Sequence, residues 1–317
     1  MVIGDGVTPL IGPLAPDCEV LRQSLIDDPL PPVWQLAAQS ARRIHRSRIL
    51  AALPDWRPAL ESLPVAVDDL PGQDSMPAMR RYRHEGSIPD TCVVWLHGGG
   101  WVLGDLDTAD ATARTACDAT GWTVLAVDYR CAPAAPFPAA VTDALAAADW
   151  ALSRYERVVI GGDSAGANLA AVVAQQRGHH RSLVGQVLVY PVVDTRMDSP
   201  SAREFVEGPL LTRRDMEWFF DQYVPNEADR DSSLIDLRTG FADRGVVPVT
   251  AVVLTVGHDP LRDEGIAYAR LLDDNAHEVT WIHAPELHHG AFTQSGFLSS
   301  AAVRVREVWS AARRSFA

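Results

Sequence analysis

The sequence predicts an α/β fold: a mostly parallel central sheet flanked by helices, with a helical cap. Three observations predict it. From about residue 65 onward, short runs rich in Val, Ile and Leu alternate with longer segments of helical character. Several of those runs lack polar alternation, as parallel strands covered on both faces do. The alternation fails in two places, residues 1–65 and about 198–240, which carry helical or Pro-rich sequence instead. These two are expected to form the cap, leaving 66–317 as the α/β domain.

The totals agree with that class. A chain of 317 residues that is 47% apolar suits one large α/β domain with insertions and can bury a substantial core. A formal net charge of −13 repels phosphate backbones and anionic lipid, which counts against nucleic acid as a partner. No apolar run reaches the length of a membrane span, and "MVIGDGVTPLIGPLAPDCEV" has neither a basic start nor a continuous apolar core, so it does not read as a signal peptide. The four cysteines (Cys18, Cys92, Cys117, Cys131) are scattered without a CxxC pair. Reduced thiols in a cytoplasmic protein without integral membrane association are the expectation.

Taking the elements in order, "VWQLAAQSARRIHRSRILAAL" reads as a helix, with Trp34, Ala37, Ala38, Ala41, Ile44 and Ile49 roughly on one face. Arg42, Arg43 and Arg46 fall mostly elsewhere, either as a patch for an anionic group or as a solvated face. Strands are expected at Ala78–His84, Cys92–His97, Thr123–Tyr129, Arg157–Gly161, Gln186–Tyr190, Thr250–Val256 and Val279–His283. Helices are expected at Asp107–Ala119, Pro138–Ser153, Ala165–Gln176, Asp263–Asp273 and Ala301–Ser315. In the second irregular region Thr212–Tyr223 is a helix whose Met216, Phe219, Phe220 and Tyr223 share a face, either as plain packing or as part of a lid over the N-terminal helices.

Chemistry enters at "GGDSAG". A strand turning sharply into a helix holds its corner residue above the carboxyl edge of the sheet, and small residues two before and two after the corner prevent a backbone clash. Gly162 and Gly166 meet that need around Ser164. No Lys-Ser or Lys-Thr follows to make a nucleotide phosphate loop. A serine hydroxyl needs a base and the base an orienting acid. Asp259 in "LTVGHDPLRDEG" and His289 in "ELHHGAF" each follow an apolar strand, in the chain order Ser, Asp, His. Asp263 and Glu264 are alternative acids, but they open a helix and suit capping better. His288 competes as base. A metal reading of His258, Asp259, His288 and His289 lacks ligand spacing. Upstream, "HGGGW" leaves bare backbone N–H groups after a strand, suited to an oxyanion.

Together these stretches resemble the bacterial hormone-sensitive-lipase family of α/β-hydrolase carboxylesterases over about residues 65–310. "HGGGW" is similar to its oxyanion motif, "GDSAG" to its nucleophile turn, "DPLRDEG" to its acid segment and "HHGAF" to its base segment; "DYRCAPAAPFPAAVTDA" and "YPVVD" also fit. The resemblance implies an α/β-hydrolase fold, with Ser164 as nucleophile, His289 as base, Asp259 as acid, and Gly98, Gly99 and the Ala165 N–H as the oxyanion hole. The base immediately before Gly selects His289 over His288. Departures are Ala109, Ala134 and Ala291, where the family has His, Glu and Phe; none removes a catalytic group. The implied activity is hydrolysis of small to medium acyl esters, with no metal or organic cofactor. The same groups would also serve an amidase, lactonase or biosynthetic acyltransferase. A non-enzymatic receptor on this fold tends to lose the base, which is present here. The resemblance also implies a homodimer through the last strand or its neighbouring helix.

Overall fold

The structure is a computed structural model that describes residues 9–73, 75–86, 88–243 and 245–316. Residues 1–8, on which the signal-peptide reading partly rests, therefore lie outside the described residues. In chain order the elements are α1 (Pro16–Asp27), α2 (Ala38–Glu61), β1 (Val65–Leu70), β2 (Ala78–His84), β3 (Ile88–Leu96), α3 (Leu106–Thr120), β4 (Trp122–Asp128), α4 (Ala139–Leu152), β5 (Arg157–Asp163) and α5 (Ala165–Arg177). They continue with β6 (Leu183–Val189), α6 (Pro200–Glu204), α7 (Arg213–Tyr223), α8 (Thr239–Asp243), β7 (Ala251–His258), α9 (Arg262–Asp274), β8 (Val279–His288) and α10 (Ser299–Ser315).

The eight strands form one sheet in the order β1-β2-β4-β3-β5-β6-β7-β8. β1 and β2 run antiparallel to their neighbours, and every pairing from β4 to β8 is parallel. This is an α/β-hydrolase fold. The central strands bury both faces. Cys92, Val94 and Leu96 of β3 face one apolar layer, which includes Ala144 of α4, Leu169 of α5 and Tyr268 of α9. Val93 and Trp95 face the other, with Ala113 of α3 and Val308 and Trp309 of α10. That two-sided burial is why these strands read as unbroken apolar runs. From β3 the chain passes to β4 on one side, then crosses back to β5 on the other. Such a reversal opens a crevice at the carboxyl ends of the strands, where ligands of open α/β sheets bind.

Besides the short helices α6 and α8, three elements depart from the sequence expectation. β1 is not among the expected strands, since "VAVDDL" is short and sets two acids side by side; as the sheet edge it buries little, and Asp68 and Asp69 pair with Arg81 and Arg80 of β2. α1 was hidden in Pro-rich sequence, although Pro16 at a first helical position is favourable. The helix expected from residue 33 is instead a short 3-10 turn at Val33–Gln35 followed by α2, which runs on through Pro54 and Pro58 to Glu61. Tertiary packing overrides the prolines: Leu50 and Leu60 both pack on Ala111 of α3. At the other edge of the sheet, the Gly12 and Ala15 N–H groups donate to the Pro285 and Glu286 carbonyls of β8, at 3.0 and 2.9 Å. No helix among the described residues is long and apolar enough to cross a membrane. All four cysteines are free thiols.

Trp95 anchors the layer that holds α3 and α10. It is buried, stacks on Phe292 with ring centres 6.1 Å apart and meets Trp309 at 5.6 Å. Trp95→Ala leaves a cavity between the buried Phe292 and Trp309 rings. A loss of about 3–5 kcal/mol in stability is expected, read as a lower urea midpoint at an unchanged denaturant slope.

Candidate active site

Ser164 stands where β5 meets α5, with φ of 56°. A non-glycine residue takes that left-handed conformation only when its surroundings over-determine it. Here the Ser164 N–H donates to the Val189 carbonyl at 2.8 Å. A Cβ on Gly162 or Gly166 would overlap the Leu96 carbonyl oxygen at the end of β3. The two glycines thus let β3 and the corner touch backbone to backbone.

The sequence-predicted partners are brought together. The Ser164 hydroxyl donates to His289 Nε2 at 3.0 Å, and His289 Nδ1–H donates to Asp259 Oδ2 at 2.9 Å. His289 follows the end of β8, and its own N–H donates to the His258 carbonyl at 3.1 Å. Asp259 follows the end of β7 and is fully buried; its Oδ1 accepts the Leu261 N–H at 2.8 Å. The alternative acids face elsewhere. Asp263 pairs with Arg262 and accepts the Ser201 N–H of α6 at 2.8 Å, and Glu264 accepts the Val193 N–H at 2.8 Å. His288 is held by its Nδ1 against the His289 carbonyl at 2.7 Å, and burial lowers its pKa. No group of three His, Cys, Asp or Glu among the described residues is placed to hold a metal.

The glycine loop corrects one expected residue. The Gly98 N–H is already committed, donating to Asp163 Oδ1 at 3.1 Å. Gly99 and Gly100 have φ of 117° and 61°, and among the described residues their N–H groups and that of Ala165 meet no protein acceptor. The signal for this shift was present as the third glycine of "HGGGW", but the Asp163 carboxylate that occupies the first one is visible only in three dimensions. Asp163 itself is buried, and burial raises its pKa to about 6, against the Gly98 N–H and the nearby His289, which pull it down.

The lid-like helix packs onto this loop. Phe219 fills the space over Gly100, and Tyr223 stacks on Trp101 with centres 4.5 Å apart. Arg214 of α7 lies over the Trp34 ring at 4.0 Å, which joins the insertion to the N-terminal segment. Two of the three arginines read as a patch are held by protein partners: Arg42 donates to the Val102 carbonyl at 2.6 Å, and Arg46 pairs with Asp105 and Asp107. A cavity of about 970 Å³ opens over Ser164 and His289, walled largely by aliphatic and aromatic groups such as Leu21, Leu25, Ile44, Leu210, Met216 and Phe219. Phe292, one position beyond Ala291, is buried against Trp95 instead of facing the cavity wall.

Comparison with known proteins agrees with the fold. A family described as having the alpha/beta hydrolase fold matches residues 93–293. The carboxylic ester hydrolase LipN of Mycobacterium tuberculosis is 38% identical, covering 86% of this chain and 75% of that protein. An ethyl acetate hydrolase of Pseudomonas putida is 32% identical over 85% of this chain and 88% of its own length. The crystal structure of an esterase from Pyrobaculum calidifontis superposes with a TM-score of 0.84 at 30% identity, covering 95% of this chain and 99% of that one.

Asp163 gives a pH prediction. Its carboxyl titrates near 6 in the fold against 3.8 as its ordinary value, so between those limits the folded state binds more protons than the unfolded one. Stability therefore falls as pH rises through that window. Asp163→Asn keeps an acceptor for Gly98 and removes the buried charge. It is expected to melt higher than wild type at pH 8, the difference closing as pH falls from 6 towards 4 in thermal scans.

Proposed function

The chain belongs to the α/β-hydrolase family of carboxylic ester hydrolases, and from that premise we propose that it cleaves small to medium acyl esters by two-step acyl transfer through Ser164, His289 and Asp259. The observation that carries the reading is the unbroken hydrogen-bond run from Ser164 Oγ through His289 to Asp259, at 3.0 and 2.9 Å, on the floor of an apolar cavity. Ser164 Oγ attacks the ester carbonyl carbon while His289 Nε2 takes the hydroxyl proton. Asp259, fixed by the Leu261 N–H, holds the imidazole in the tautomer that leaves Nε2 free to accept, and it stabilises the imidazolium that forms.

The tetrahedral oxyanion is met by the N–H groups of Gly99, Gly100 and Ala165. The last of these also carries the partial positive charge of the α5 N-terminus. His289 then protonates the leaving alcohol, and a water molecule deprotonated by His289 repeats the attack on the acyl-enzyme. Two facts bear on substrate size. One relative is named for ethyl acetate, a short ester. The cavity of about 970 Å³ stands at the large end of small-molecule sites and has room for medium chains.

The test is hydrolysis of nitrophenyl esters of two to twelve carbons, and of matched nitroanilides, at pH 8. Wild type is expected to cleave esters far faster than anilides. Ser164→Ala is expected to lose about 10⁵- to 10⁶-fold in kcat. A mutant as active as wild type would sink the nucleophile assignment, and an anilide rate equal to the ester rate would sink the substrate class.

A further inference from the structure

We propose that Arg42, on the N-terminal helix α2, is a positioning residue that aims and polarises the oxyanion-binding N–H of Gly100. The inference rests on the esterase reading above. It follows from how the glycine loop is wired. The Gly99 carbonyl accepts two donors, the Val102 N–H at 3.1 Å and the Leu103 N–H at 2.8 Å. In a planar trans peptide the C=O and the following N–H point in opposite directions. Fixing the Gly99 carbonyl therefore fixes the direction of the Gly100 N–H.

The two donors are held in turn from behind. The peptide that carries the Leu103 N–H has the Val102 carbonyl at its other end, and that carbonyl accepts Arg42 Nε–H at 2.6 Å. The peptide that carries the Val102 N–H has the Trp101 carbonyl, which accepts the Ala132 N–H at 2.8 Å. Arg42 also donates through Nη2 to the Ala132 carbonyl, so one guanidinium grips both the loop and the segment that clips it.

The result is a continuous run: guanidinium, peptide 102–103, peptide 99–100, then the position of the oxyanion. Hydrogen-bonded peptides polarise one another, and a cation at the tail of the run strengthens the donor at its head. The loop needs such support, because Trp101 sits at φ of 57° and Gly99 and Gly100 are also left-handed. Nothing in this wiring touches substrate. It makes the N-terminal helix part of the turnover machinery as well as a wall of the cavity. Arg46, one turn further along α2, supplies the control: its guanidinium bonds go to Asp105 and Asp107 and not to the carbonyls that Arg42 holds.

The experiment compares wild type, Arg42→Ala, Arg42→Lys and Arg46→Ala in two assays. One is kcat and KM on nitrophenyl butyrate; the other is the rate at which a nitrophenyl phosphonate modifies Ser164. Arg42→Ala is expected to lower kcat and the phosphonylation rate by about 10- to 100-fold, part of what a lost oxyanion donor costs, with KM changed less than about threefold. Arg42→Lys keeps the charge but not the two-carbonyl grip, and is expected to fall between; it also serves if Arg42→Ala does not fold. Arg46→Ala should keep kcat within about twofold. Wild-type rates in both Arg42 variants, a change confined to KM, or an equal loss in Arg46→Ala would overturn this inference and leave the nucleophile assignment standing. A wild-type enzyme that the phosphonate does not modify would overturn the nucleophile assignment, and this inference with it.

Discussion

The site depends on one steric constraint, the contact between the carbonyl end of β3 and the β5–α5 corner. With the Leu96 oxygen against Gly162 and Gly166, no side chain larger than hydrogen fits at either position. That contact turns the chain sharply enough to hold Ser164 at a positive φ. It also brings the first residues after β3 beside Ser164. The glycine loop and the serine belong to elements that are distant in sequence but adjacent in the sheet, and Asp163 binds them together through the Gly98 N–H.

Around that contact, buried charge is matched to specific donors. Asp259 is fully buried, and both of its oxygens are used, one by the Leu261 N–H and one by His289. The loop that carries it is braced from the insertion: Arg262 reaches Glu204 of α6 at 3.0 Å, and the Ser201 hydroxyl donates to the Pro260 carbonyl at 2.9 Å. Asp163 is less well compensated, and burial holds its pKa above the usual carboxylate range. Burying a carboxylate costs stability unless it is fully paired. Here that cost sits where the carboxylate holds the glycine loop beside Ser164.

The cap has two roles that follow from its contacts. Its aliphatic side chains wall the cavity. Its polar side chains reach past the cavity to backbone carbonyls and acids of the α/β domain, as Arg42 and Arg46 do. The aromatic face of α7 does the same by packing, with Phe219 over Gly100 and Tyr223 on Trp101. Arg42, read from sequence as part of a charged patch, and the aromatic face of α7, read as a lid, are better described as clamps on the glycine loop.

The sequence by itself determined the fold class, most strands and the three residues of the hydrogen-bonded run. Each of these rests on local information. Two-sided burial writes apolar runs into β3 to β7, the tight corner demands glycine at 162 and 166, and Ser164, Asp259 and His289 each follow a strand that ends in a recognisable motif. Tertiary structure decided what depends on long-range partners. The edge strand β1 has no core-facing run to announce it. α2 continues through two prolines because α3 packs on both sides of them. Gly98 looked like an oxyanion donor because sequence cannot show that Asp163, 65 residues away, already takes its N–H. Arg42 looked like a surface charge for the same reason, since a carbonyl acceptor 60 residues further along the chain leaves no trace in composition or periodicity.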